Sequence, residues 1–131
     1  MSQPPQIVLD TTVLIDALRN RKERRGLLAR LVSSGQELAT STVSIAEVIG
    51  GLRLGEEQAT QSLLASVEWI PVSATIAERA GNLKAALRRR GHTRSITDMI
   101  VAATALESGS PVATDNSKDF QVPGLVLLQL P

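Results

Sequence analysis

The chain has 131 residues, 43% of them hydrophobic and 2% aromatic, which predicts a single domain with a core of Leu, Ile, Val and Ala. It contains no cysteine, which excludes disulfides and thiolate chemistry. It has no apolar stretch that could span a bilayer and no signal peptide at its start, so we expect a cytoplasmic protein without a membrane partner. The net charge is +1, but six basic residues lie between Arg19 and Arg30 and five between Lys84 and Arg94.

Hydrophobic periodicity predicts strands and helices that alternate along the chain. The first half is predicted to contain a buried strand at 6–10, a helix at 12–19 capped by Thr12, a helix ending near Gly35, a strand at 37–39 and a helix beginning at Ser44. The second half is predicted to contain a helix at 56–66, a strand at 67–72, a helix ending at Gly91, a helix at 95–107, and strands at 112–113 and 125–130.

Two of these elements carry information about their place in the fold. The strand at 67–72 contains Pro71, which cannot donate a ladder hydrogen bond, so we expect it at a sheet edge. The helix at 95–107 is apolar on most sides and is predicted to be central and buried. The alternation as a whole predicts a three-layer α/β/α fold with a central, mostly parallel sheet of four to five strands.

Four acidic residues lie in or beside apolar segments, where burial of an unpaired carboxylate is costly. Asp10 ends the first strand, Asp115 follows the strand at 112–113, and Glu47 and Asp98 lie near the starts of predicted helices. The carboxyl ends of parallel strands and the starts of the helices that follow them lie at one edge of the sheet. We therefore expect the four acids to meet there.

Each acid also has a purely structural interpretation. Ser44-x-x-Glu47 has the pattern of a capping box, and Ser95-x-x-Asp98 is the same arrangement with the shorter acid. Asp10 could cap the helix after it, and Asp115 could belong to an ordinary polar turn. Taken singly, capping explains Glu47 and Asp98 better than catalysis does.

Taken together, the acids favour a metal site. A close pair of carboxylates repels by about 4 kcal/mol at an effective dielectric near 20. Several such pairs would rival a whole domain's stability of roughly 5–15 kcal/mol, and a divalent cation removes that cost. Oxygen ligands in a chain with no Cys and one His favour Mg²⁺ or Mn²⁺ over Zn²⁺.

Four segments, in order, resemble the motifs of the PIN domain family. Residues 7–16 resemble its opening, 42–48 its second acidic motif, 97–105 its third and 112–120 its fourth. The resemblance covers nearly the whole chain. The compact length and the Thr-x-Asn-x-x-Asp-Phe ending look most like the toxins of VapBC-type toxin–antitoxin modules.

The resemblance implies one PIN domain over residues 1–131 with a PIN-like fold. It implies a Mg²⁺- or Mn²⁺-dependent endoribonuclease that hydrolyses phosphodiester bonds in RNA, with Asp10, Glu47 and Asp98 as catalytic acids and metal ligands. It also implies a cognate antitoxin that neutralises the chain, and a homodimer, which is common in the family.

The fourth acidic position is less well defined by the resemblance. Many relatives have an acid or Asn two residues after the Thr of the fourth motif, where this chain has Asn116. Asp115 lies one residue earlier, so we name Asp115 as the fourth catalytic acid and Asn116 as its rival. Thr12 and Thr114 match polar positions that support the acidic cluster in the family.

The basic clusters are candidates for contacts with RNA phosphates. Arg89, Arg90 and Arg94 precede the helix that carries Asp98, which favours that role over a merely solvated surface. For Arg21 and Lys22 the two interpretations are equally good.

Two other functions remain open. One is a non-catalytic RNA-binding PIN domain, against which the presence of all three central acids argues. The other is an aspartyl-phosphate receiver or phosphatase-like domain, but Thr12 stands where a haloacid dehalogenase signature has a second Asp.

Apolar residues on neighbouring predicted helices could line an exposed groove for a partner protein. For most of them a place in the core is the better prediction: Ile49, Leu52, Leu54, Leu63 and Leu64. Trp69 and Phe120 are predicted to pack in the core or at an edge rather than to stack on bases.

Overall fold

The computed structural model describes residues 6–131. The strands are β1 (Gln6–Leu9), β2 (Glu37–Ser41), β3 (Glu68–Ile70), β4 (Val112–Thr114) and β5 (Leu127–Gln129). The helices are α1 (Thr11–Leu18), α2 (Arg24–Ser33), α3 (Thr42–Gly50), α4 (Glu57–Ala65), α5 (Ala74–Arg89) and α6 (Ile96–Ser108). A short 3₁₀ helix, Ser117–Phe120, follows β4. Within the described residues, no helix has the length and apolar character needed to cross a membrane.

The five strands form one sheet in the order β3-β2-β1-β4-β5, and all neighbours are parallel. Strand β1 is central, with Ile7 paired to Leu38 on one side and Leu9 paired to Ala113 on the other. Strand β3 lies at the edge, as Pro71 predicted. The mostly parallel sheet predicted from the sequence is confirmed.

Helices cover both faces of the sheet. Ile7 and Leu9 face one side, where they join a buried cluster with apolar residues of α1, α2, α3 and α4. Val8 faces the other side and packs with α5 and α6. Because successive side chains of a strand point to opposite faces, the sheet lies between two helical layers, and the predicted α/β/α architecture is confirmed.

Helix α6 packs directly on the sheet. Residues 101–105 are all fully buried, and the small side chains of Ala102, Ala103 and Ala105 allow its backbone to approach its neighbours closely. The central position predicted for this helix is therefore correct. Its first turn, which carries Asp98, lies at the start of a rigidly packed element.

Helix α3 begins two residues earlier than predicted. Its first residue is Thr42, and the side chain of Ser41 accepts a hydrogen bond from the Val43 N–H at 3.2 Å. Ser44 lies inside the helix and is buried, so the capping-box interpretation of Ser44-x-x-Glu47 is wrong. Glu47 consequently lies in the second helical turn rather than the first.

The other boundaries differ less from the predictions. The Ser95 cap of α6 is confirmed, since its Oγ accepts from the Asp98 N–H at 3.0 Å. Helix α1 begins at Thr11 with Asp10 in the N-cap position, so the predicted cap at Thr12 is wrong. Strand β5 is shorter than the predicted 125–130.

Candidate active site

Asp10 is the most deeply buried acid of the candidate site, with 4% of its surface exposed. Its Oδ2 accepts hydrogen bonds from the hydroxyl of Thr114 at 2.9 Å and from that of Thr12 at 3.0 Å. Burial raises the pKa of Asp10 above its ordinary value, and the two hydroxyls act in the opposite direction. The carboxylate is thus fixed by Thr114, the last residue of β4, and by Thr12 in the first turn of α1.

Asp98 is partly buried at the first turn of α6. Burial raises its pKa most, and the charge of Asp10 comes next among the causes that raise it. The charges of Asp119 and Glu47 add to the increase. An acid whose pKa responds to three other carboxylates lies close to all of them, so these four residues form one acidic cluster.

Glu47 is the exposed member of the acidic cluster. One turn before it, the buried Ser44 accepts a hydrogen bond from the hydroxyl of Thr11 at 2.7 Å, which ties α3 to the start of α1. Residues three apart share a helix face, so this contact directs Glu47 toward the same end of the sheet as Asp10. Its exposure leaves its carboxylate in contact with water.

Asp119, the fourth member of the acidic cluster, was not among the predicted site residues. It lies in the 3₁₀ helix, where its carboxylate accepts a hydrogen bond from Asn116 Nδ2. The Asn116 N–H in turn donates to Thr114 Oγ1 at 2.9 Å. The signal that could have identified Asp119 is the spacing Asn116-x-x-Asp119 directly after a strand, which is typical of polar side chains that meet across one helical turn.

Asp115 instead faces two cations. Its Oδ2 accepts from Lys22 Nζ at 2.7 Å and from Arg24 Nη2 at 3.0 Å. Lys22, and next Arg24, lower the pKa of Asp115 below its ordinary value. The charge of Asp115 is therefore matched within the protein, whereas Asn116 contacts the acidic cluster through Asp119.

The acidic cluster has the donor chemistry of a Mg²⁺ or Mn²⁺ site. Its four side chains offer only carboxylate oxygens, and within residues 6–131 no Lys or Arg forms an ion pair with any of them. In the same part of the chain, no three acidic or histidine side chains already stand at the separations of a ligand shell. The fit to a hard divalent cation therefore rests on the chemistry of the donor oxygens and on the absence of a competing cation among the described residues.

The predicted RNA-binding residues fall into two groups. Arg21, Arg89 and Arg90 are exposed, and their guanidinium groups make no hydrogen bond to the described residues. Lys22 is bound to Asp115, and Arg94 Nη2 donates to the carbonyl of Lys118 at 3.1 Å. The first three are free to contact a polyanion, while the other two already hold parts of the protein together.

An apolar groove lies apart from the acidic cluster, between α3, α4 and β3, with a volume of about 360 Å³. Ile49 is 50% exposed, Trp69 48% and Leu54 fully exposed, so these three do not belong to the core. Leu64 is buried and Leu63 packs against the core, as predicted. The groove is lined by Ile49, Leu52, Glu57, Thr60, Gln61, Leu64, Ala65 and Trp69.

The sequence is similar to known proteins over most of its length. Residues 7–124 match the PIN domain. The Mycobacterium tuberculosis protein named ribonuclease VapC19 is 34% identical over 115 residues, which cover 86% of this chain and 90% of that protein. Ribonuclease VapC10 of the same organism is 38% identical over 114 residues, which cover 87% and 85%.

Solved structures share the fold over nearly the whole chain. VapBC2 from Rickettsia felis, bound to a DNA fragment from its promoter, contains a chain that superposes with a TM-score of 0.81 at 25% identity, covering 96% of this chain and 99% of that one. A toxin–antitoxin complex from Klebsiella pneumoniae gives a TM-score of 0.75 at 29% identity, covering 95% and 99%.

Proposed function

Because this chain belongs to the PIN domain family, we propose that it is a metal-dependent endoribonuclease and the toxin of a type II toxin–antitoxin module. The observation that carries the proposal is the meeting of Asp10, Glu47, Asp98 and Asp119 without a cationic partner among the described residues. Uncompensated carboxylates of this kind are costly unless a cation neutralises them.

The proposed metal ligands are Asp10, Asp98 and Asp119. Bound Mg²⁺ or Mn²⁺ supplies positive charge that offsets the negative charge developing on the scissile phosphate in the transition state. Asp10 needs little reorganisation to bind, because two threonine hydroxyls already fix its carboxylate. Asp98 lies at a helix N-terminus, where the helix dipole offsets part of the repulsion from the neighbouring acids.

Glu47 is assigned a different role in the proposal. Its exposed carboxylate can accept a hydrogen bond from a water molecule and orient that water toward the phosphorus. Its oxygen can then take the proton that the water loses as the new P–O bond forms and the scissile P–O bond breaks, and the leaving oxygen takes a proton from solvent. Arg89 and Arg90 are proposed to hold the flanking RNA phosphates, since both side chains are free and exposed.

We also propose that an antitoxin protein of the cytoplasm neutralises this chain. The exposed apolar side chains of Ile49 and Trp69, which line the groove between α3, α4 and β3, are a suitable docking surface for an amphipathic helix. The solved toxin–antitoxin complex from Klebsiella pneumoniae, which contains a chain of the same fold, supports this part of the proposal. A homodimer is proposed on the family resemblance alone.

RNA cleavage by purified protein tests the proposed activity. The unmodified chain should cut RNA with Mn²⁺ or Mg²⁺ and stop on addition of a chelator, while Asp98→Asn should lose at least about 100-fold in rate. Glu107→Gln is the matched control, because Glu107 lies on the same helix near its other end and is exposed. RNA that is bound but never cut, with any divalent metal, would identify a non-catalytic RNA-binding domain instead.

A further inference from the structure

Arg24 occupies an unusual place for an arginine, because only 1% of it is exposed. Burying a guanidinium is costly unless its charge and its donors find partners. Its Nη2 donates to Asp115 Oδ2 at 3.0 Å and to the carbonyl of Pro131 at 2.8 Å. Its Nε has no hydrogen-bond partner in the described part of the chain, so one donor of the buried guanidinium lacks an acceptor.

The ion pair with Asp115 connects the start of α2 to the segment after β4, 91 residues away in the sequence. Lys22 contacts the same oxygen of Asp115 at 2.7 Å, but its side chain is 57% exposed. A buried ion pair is screened far less than an exposed one. Of the two cations that contact Asp115, Arg24 is therefore the one better protected from water and salt, although Lys22 lowers the pKa of Asp115 more.

Asp115 lies in the middle of a chain of contacts that reaches two acids of the cluster. The residue before it, Thr114, donates to Asp10 and accepts from the backbone of Asn116, the residue after it. The side chain of Asn116 then donates to Asp119. Any displacement of Asp115 consequently moves the groups that position Asp10 and Asp119.

The other end of the segment 115–119 is also held by a side-chain contact. Arg94 Nη2 donates to the carbonyl of Lys118 at 3.1 Å, next to Asp119. The segment 115–119 is short and irregular, so these side-chain contacts, more than a strand ladder, determine its position. Of the two, the contact at Asp115 is the better protected from water.

We propose that Arg24 is a positioning residue, which through Asp115 fixes segment 115–119 and thereby the place of Asp119 beside Asp10 and Asp98. The inference rests on the proposed function in taking Asp119 as a metal ligand. It concerns a buried residue outside the acidic cluster, and it assigns to Asp115 a supporting contact in place of the catalytic role expected from the sequence.

The test compares Arg24→Met, Asp115→Asn, the double variant and Arg24→Lys, with Arg79→Met as the control. Arg79 forms an exposed ion pair with Glu107, at the opposite end of α6 from the acidic cluster. Calorimetric titration with Mn²⁺ alone, without RNA, should show about tenfold weaker binding for Arg24→Met and Asp115→Asn. The double variant should be no weaker than the single ones, Arg24→Lys should recover part of the loss, and Arg79→Met should match the unmodified chain.

Amide hydrogen exchange in the metal-free protein supplies an independent readout. The amides of Asn116 and Asp119, which donate to Thr114 Oγ1 and to the Asn116 carbonyl, should exchange faster in Asp115→Asn, while amides of β1 and β2 should not. Equal exchange in this segment, or an equal acceleration throughout the sheet, would refute the positioning role. If Arg24→Met does not fold, the nearly isosteric Asp115→Asn decides the question.

These readouts separate the inference from the proposed function. Suppose that the variants show the expected faster hydrogen exchange and weaker Mn²⁺ binding, but the unmodified chain never cuts RNA. That result would support Arg24 as a positioning residue and overturn the proposed nuclease activity. Cleavage that needs Mn²⁺ while all variants bind it equally well would support the nuclease and overturn the inference.

Discussion

Replacing Asp98 by Asn should stabilise the metal-free protein while abolishing its proposed activity. Two unit charges about 8 Å apart repel by about 2 kcal/mol at an effective dielectric near 20, and screening by physiological salt reduces this by about half. Asp98 has three acidic neighbours, of which the exposed Glu47 contributes least. The favourable interaction of ionised Asp98 with the N-terminus of α6 is worth about 0.5 kcal/mol and opposes the gain.

The net expectation for Asp98→Asn is a free energy of unfolding higher by about 1–2 kcal/mol at pH 7, equivalent to roughly 3–6 °C in Tm. The assay is thermal or urea unfolding in the presence of a chelator. The cap is retained, because the hydrogen bond from the residue 98 N–H to Ser95 Oγ uses only backbone at position 98. Asn therefore removes the charge with little change of shape.

The pH dependence of unfolding tests the sign of this stability change. The native pKa of Asp98 is raised above its ordinary value of 3.8, so the folded protein holds this proton more tightly than the unfolded chain does. The stabilisation that protonated Asp98 gives to the folded state is fully present below pH 3.8. It is lost as the pH rises through the raised native pKa of Asp98. The advantage of Asp98→Asn should therefore be largest at pH 7 and disappear near pH 4.

Asp115→Asn is a matched control with the opposite sign. The pKa of Asp115 is lowered by Lys22 and Arg24, so its stabilisation is present above pH 3.8 and is lost as the pH falls through the native value. This variant should be less stable than the unmodified chain at pH 7. A loss of stability in Asp98→Asn at pH 7, or a gain that persists at pH 4, would refute the charge-repulsion argument.

Three further predictions concern the metal, the hydroxyl support and the RNA surface. Mn²⁺ at about 100 times its dissociation constant should stabilise the unmodified chain by about 2.7 kcal/mol in thermal unfolding and leave Asp98→Asn unchanged; equal shifts in both would place the metal elsewhere. Thr114→Val removes the buried hydroxyl that donates to Asp10 and leaves the Asn116 N–H without its acceptor, so urea unfolding should show a loss of about 1–3 kcal/mol, and a loss no larger than that of Thr12→Val would contradict the buried role. Replacing Arg89 and Arg90 by Ala should flatten the plot of log binding constant against log salt concentration by about 1–2 units of slope. Fluorescence anisotropy measures RNA binding in the Asp98→Asn background, which is expected not to cut the RNA. An unchanged slope would show that neither arginine contacts RNA phosphates.

Much of the fold could be predicted because each element carries its own pattern. The central helix α6 is apolar all round, and Pro71 marks the edge strand β3 by its missing donor. The grouping of Asp10, Glu47 and Asp98 followed from the parallel sheet, whose strand ends and helix starts share one edge. Their catalytic roles remain predictions.

What could not be predicted depends on partners distant in the sequence. Asp115 had the sequence position of a site residue, but Arg24 and Lys22, more than 90 residues before it, neutralise it. Asp119 lies in a 3₁₀ helix too short to leave a hydrophobic period. The local sequence also predicted the start of α3 wrongly. Ser41 and Ser44 both match the preferences of a helix cap, and only the structure shows that Ser41 is the one used.

The parallel pairing of β1 with β4 has a consequence for biosynthesis. Leu9 meets Ala113 across the sheet, and the bond between Thr114 and Asp10 closes a loop of 104 residues. Parallel pairs of this kind need long crossovers, and contacts between such distant residues form slowly. The ribosome must therefore have released almost the entire polypeptide before Thr114 can donate to Asp10, so a nascent chain lacks the assembled acidic cluster.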